Sequence, residues 1–140
     1  MSIASLWPSF GEIPIIKTPK IILQEQAVQL EKVTYGYINT EIITSAHPTL
    51  LNKISHILKI TAPKVEGYST IVVQLDHDMI KIYPITVTSR IKAMPIAYNA
   101  SNEEELLLLL TKVFEEKETI DTVQSLLTQS KSNESYSKVS

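Results

Sequence analysis

The chain has no cysteine, which removes disulfides, thiolate nucleophiles and cysteine-ligated zinc from consideration and suits a reducing compartment. Glycine is nearly as scarce. Gly11, Gly36 and Gly67 each stand alone, so no glycine-rich turn brings several backbone N–H groups onto a phosphate. Arg90 is the only arginine and the lysines are scattered; nucleic-acid phosphates call for clustered cations, so no nucleic-acid partner is expected. The longest unbroken apolar run, Leu106 to Leu110, is far shorter than the roughly 20 residues that cross a bilayer. Met1 to Phe10 lack the basic region, apolar segment and cleavage site of a signal peptide. A cytoplasmic protein without a membrane partner is the expectation.

What is present fits one globular domain: 140 residues, 44% of them hydrophobic, are enough to bury a self-sufficient core. Charge is uneven along the chain. Glu103 onward holds eight of the 15 acidic residues but only four of the 13 basic ones, so a mildly acidic C-terminal part joins a nearly neutral body.

Residues 1–17 read as an extended arm. Trp7, Phe10, Ile13, Ile15 and Ile16 make it apolar, while Pro8, Gly11 and Pro14 keep it from becoming a helix. Such an arm is expected to lie on something, its own domain first and a partner subunit second. A single domain is expected over 18–128. Thr18-Pro19 places a hydroxyl N-cap before a proline at the first helical position, and the helix should run to about Thr34. Leu23, Ala27, Leu30 and Thr34 form its buried stripe, flanked by Ile22 and Val33, with Ile21 and Val28 on the far side. Gly36 is suited to the left-handed turn that ends it.

Strands follow. Tyr37 to Ser45 is rich in Ile and Thr, and Ile54 to Ala62 alternates, with His56 in phase with Leu58 and Ile60. Tyr68 to Thr88 reads as a β-hairpin turning at Asp76, His77 and Asp78, with Ile71, Val73 and Leu75 facing the same way as Ile80 and Ile82. Pro84 should then sit at a bulge that displaces the apolar phase to Ile85 and Val87. Ile91 to Tyr98, interrupted by Pro95, is a weaker fifth strand. Ser101 and Glu104 form a capping box for a helix over 102–116, whose leucines cover an arc of about 160°. Ile120, Val123 and Leu127 continue as the same helix or a second one. Residues 129–140, mostly Ser, Lys and Asn, read as a disordered tail. The expected fold is therefore a two-layer α+β domain: an antiparallel sheet of four to five strands, with the N-terminal helix and one or two C-terminal helices packed on one face.

No catalytic motif or metal-binding spacing occurs. Asp76-His77-Asp78 has metal-binding residue types, but short polar side chains are ordinary at a hairpin turn. His56 reads as a neutral core histidine and His47 as a loop residue. Tyr35, Tyr37, Tyr68, Tyr83 and Tyr98 cluster in and near strands, as suits half-buried sheet positions or an interface. No cofactor is expected. Two functional expectations follow. One is a non-enzymatic module of bacterial type, adaptor or immunity-like, that binds another protein or itself, with Trp7, Phe10 and Leu109 near a homodimer contact. The other is a small enzyme or ligand-binding domain with a pocket between sheet and helices, where His56, Asp76 and Tyr83 meet.

Overall fold

A computed structural model describes residues 4–14 and 16–139; Met1 to Ile3, Ile15 of the arm and Ser140 of the tail lie outside the described residues. The order of elements is α1 (Pro19–Val33), β1 (Asn39–Ala46), β2 (Lys53–Ala62), β3 (Tyr68–Asp78), β4 (Ile85–Ser89), β5 (Ala97–Ala100), α2 (Glu103–Phe114) and α3 (Lys117–Val139). Thr18 caps α1, its hydroxyl accepting from Ile21 N–H, and supplies a partner to one of the amides a helix start leaves free. Ile22, Leu23 and Ala27 are buried, and Thr34 closes the helix by donating its hydroxyl to the Leu30 carbonyl at 2.7 Å.

The five strands form one antiparallel meander in sequence order, β1-β2-β3-β4-β5. Short links between consecutive strands leave that order as the simplest one. The hairpin differs from expectation in where it turns and where its bulge lies. Strand β3 continues through Asp76, His77 and Asp78, which pair with Ser55, Ile54 and Lys53, and the turn lies further on, over residues 79–84. Because β2 is long enough to pair with all of β3, its ladder holds those polar residues in extended form. Ile80 is accordingly exposed in the link, while Ile82 packs against the core. Pro84 precedes β4 rather than interrupting a ladder. The bulge lies instead in β3, where the pairing jumps from Leu58↔Val73 to Lys59↔Ile71 and leaves Val72 over. Val72 and Val73 are both buried as a result, and Ile71 falls in the opposite phase from Val73 and Leu75.

All three helices lie over the face that carries Leu58, Ile60, Val73, Leu75, Ile85 and Val87, and these residues form the core with Leu23 of α1, Leu106, Leu110 and Val113 of α2 and Leu126 of α3. Helix α1 covers β1 and β2, α2 covers β4 and β5, and α3 touches β2 and α2. The start of α2 is one residue later than its capping box suggests. Asn102 is the N-cap, accepting from Glu105 N–H at 2.9 Å, while the Glu105 carboxylate accepts from Ser101 N–H at 2.7 Å. The fifth strand is also shorter than expected and begins beyond Pro95. Helices α2 and α3 are separate, divided at Glu115 and Glu116. The disordered tail is the largest correction: α3 runs on to Val139, Ser130 is fully buried, and Asn133 donates its side-chain N–H to the Lys64 carbonyl at 2.6 Å. A polar segment gains order here because a neighbouring turn supplies partners for it.

Candidate functional site

Because α1 stands over one side of the sheet and α2 over the other, the middle strands are roofed only by what reaches across between them. A groove of about 460 Å³ remains there. Its floor is Leu58 of β2 and the bulged Val72 of β3, so the extra residue of the bulge is what carries apolar surface to this point. One wall is the C-terminal half of α1, with Gln26, Gln29, Leu30 and Val33 at helical spacing. The other is the first half of α3, with Thr119, Val123 and Leu127 on one line, Ile120 and Gln124 beside it, and Phe114 at the end of α2. No lining residue carries a formal charge. Val33 and Ile120, 66% and 47% exposed, stand at its lip. Inside it, the Thr119 hydroxyl is buried without a hydrogen-bond partner, whereas buried hydroxyls are generally paired.

The arm does not fill this groove. Residues 4–14 form neither helix nor strand and are exposed throughout; Leu6, Trp7, Phe10 and Ile13 are the large apolar side chains among them, Trp7 at 78%. Trp7 N–H donates to the Ser5 hydroxyl and Gly11 N–H to the Ser9 hydroxyl, both local contacts. The base of the arm is anchored. Lys17 bridges to Glu25 at 3.1 Å, and Ile16 lines a smaller cleft with Ile22, Gln26 and Leu107. Gln26 belongs to both cavities, so the arm leaves the body beside the groove.

A second cluster lies one strand step beyond Leu58, where β2 pairs with the end of β3. His56 and His77 are buried and stacked, with ring centroids 5.0 Å apart and their Nε2 atoms 2.9 Å apart. The Asp78 carbonyl, 2.8 Å from His77 Nδ1, can only accept. It therefore fixes the direction of the neutral chain: His77 Nδ1–H donates to it, His56 Nε2–H donates to His77 Nε2, and the Thr44 hydroxyl donates to His56 Nδ1 at 2.9 Å. Burial, then His77 and then Lys20 of α1 lower the pKa of His56 to about 4, with Asp76 opposing them. His56 is neutral at pH 7. No group of three or more His, Asp or Glu residues among the described residues is arranged to hold a metal ion.

The other site residues separate. Asp76 is in the opposite phase from His77, where it accepts from the Ser55 hydroxyl and from the Gln74 amide, 3.0 Å away; Arg90 holds the Gln74 amide in turn. Tyr83 lies in the link before β4, its hydroxyl buried without a partner and its pKa raised by burial and by Glu103. Asp76 thus points away from the sheet face that carries His56 and His77. His47 holds a turn by accepting from Thr49 and Leu50 N–H. Leu109 packs partly buried against the core, and the exposed leucines of α2 are Leu107 and Leu108. A charge at Leu109 would therefore test the core before it tested any dimer.

Two features escape sequence reading. The histidine pair was within reach, because Val73, Leu75 and His77 continue one strand phase once the turn is placed later. The groove was not, because Gln26, Val72 and Thr119 share no spacing signal. No family model matches the chain, and neither a curated protein nor a solved structure matches it. Among the described residues, no helix is long and apolar enough to cross a membrane.

Proposed function

We propose that this chain is a small, non-enzymatic, cytoplasmic protein-binding module, adaptor- or immunity-like, and that the groove between α1 and α3 is its working surface. The observation that carries this reading is an open, apolar groove without a charged lining residue, edged by glutamine amides. Such a surface suits a peptide segment with two or three large apolar side chains: burying them is favourable, no charge has to be desolvated, and the glutamine amides can meet the peptide backbone. A photo-reactive amino acid at Val33, on the lip, tests it. Covalent adducts of protein size are expected from cells at Val33 and not at Lys59, which is out of phase with the core residues Leu58 and Ile60. Their absence removes the reading.

A second reading keeps the groove and changes the occupant. Its volume lies in the range of small-molecule pockets. Native mass spectrometry of the purified chain then shows a bound apolar compound, and Val33 gives no protein adduct.

A further inference from the structure

We infer that the segment taken up by the groove is the N-terminal arm of a second copy of this chain, so that two copies exchange arms. The inference rests on the groove being a peptide-binding surface, as proposed above, and names its partner.

Both halves of the contact are present in one chain, and each is uncovered. The arm carries Leu6, Trp7, Phe10 and Ile13 in the open, and from Pro8 to Pro14 its only charge is Glu12. The groove has no charged lining residue. Docking one in the other therefore removes apolar surface from water without burying an unpaired lysine or arginine. Pro8 and Pro14 restrict the free arm, which lowers the entropy lost when it is fixed. An extended segment brings unpaired backbone N–H and C=O groups with it. Gln26, Gln29 and Gln124 offer both donors and acceptors along the groove.

Reach and area agree with exchange. From its anchor at Thr18 the arm extends up to about 36 Å by Trp7, more than enough to cross to a neighbouring molecule. It leaves the body beside Gln26, at the mouth of the groove, so a two-fold axis near that residue sets each arm's exit against the other copy's groove. Trp7 and Phe10 each bury about 150–250 Å² when enclosed. The groove's volume takes about two such side chains, so two reciprocal contacts with the matching groove surface remove on the order of 1,000 Å², the lower bound of a specific interface.

Trp7 is the only tryptophan, so its emission reports on the arm alone. The test mixes two full-length variants. One carries Val33→Lys and Ile120→Lys, lip substitutions that spoil the groove and keep the arm. The other carries Trp7→Asp and Phe10→Asp, which spoil the arm, keep the groove and leave no tryptophan. Light scattering of the wild-type chain should give twice the chain mass, and each variant alone should give a monomer. Their mixture should restore a dimer and shift Trp7 emission to the blue, a signal that only an arm in another copy's groove can produce. A blue-shifted wild-type monomer means the arm fills its own groove and overturns the inference, as does a dimer that survives in the arm variant. A red, solvent-like Trp7 at every concentration overturns it as well. The broader reading fails separately: a peptide of residues 4–17 that binds the arm variant, or protein adducts at Val33, keeps the groove as a peptide site even where the second copy is excluded.

Discussion

The two ends of this chain invert what their composition suggests. The N-terminal arm is rich in large apolar residues and lies in solvent, with Trp7 and Phe10 more than three-quarters exposed. The C-terminal segment beyond Leu127 is mostly polar and rich in Ser, yet it forms the last turns of α3, buries Ser130 and ties Asn133 and Glu134 to Lys64 at the β2–β3 turn. Burial is decided by what stands opposite a segment. The arm is broken by two prolines, and its residues 4–14 stay exposed rather than packing on the body. The polar end is carried by a helix already fixed at Leu126, and it meets a turn whose Lys64 offers a carbonyl and an ammonium. The same holds inside the sheet, where His56 is kept in the core by a chain of hydrogen bonds while Trp7 stays out.

Four measurements would break or sharpen this contrast. Ser130→Pro has the largest expected effect: in a packed helix it removes a backbone hydrogen bond and should lower unfolding free energy by about 3 kcal/mol in urea titration, whereas in a disordered tail it would cost nothing. Acid comes next. The folded pKa of His56 is about 4, below its ordinary 6.5, so the unfolded chain takes up its proton first. The contribution is complete above pH 6.5 and is lost as pH falls from there towards 4, by on the order of 2 kcal/mol after allowing for solvent screening. Denaturation at pH 7 and pH 4.5 measures the slope, and His56→Gln should flatten it. Asn133→Ala should cost about 1 kcal/mol by removing one hydrogen bond at the end of α3, read as a small drop in Tm. Phe10→Asp is expected to change the stability of the dilute chain by less than about 0.5 kcal/mol, and to abolish any rise of Tm with protein concentration.

Much of the fold was legible in local chemistry. Thr18-Pro19 announces α1 because a hydroxyl cap and a proline both suit a helix start, and Leu23 and Ala27 identify its inner face. Ile54 to Ala62 reads as a strand because its apolar residues alternate. The position of the hairpin turn is not legible locally: Asp76-His77-Asp78 has turn chemistry, and its strand conformation depends on partners in β2 some twenty positions earlier. The candidate site was less legible still. Leu30, Val123 and Leu127 were visible as helical stripes, but their facing one another across Leu58 and Val72 depends on a bulge that shows only in the pairing of β2 with β3.

By itself the sequence determined the class of fold, the order of the main elements, the apolar, non-helical character of the arm, and the exclusion of cysteine and glycine-loop chemistry. These follow from residue type and spacing within a few positions. Only tertiary structure decided that His56 meets His77, that Asp76 turns away from both, that α3 carries a polar end into register with Lys64, and that an uncharged groove stays open between α1 and α3. Each of these is a meeting of side chains far apart in the chain, and such meetings are set by strand register and helix placement, which no local pattern encodes.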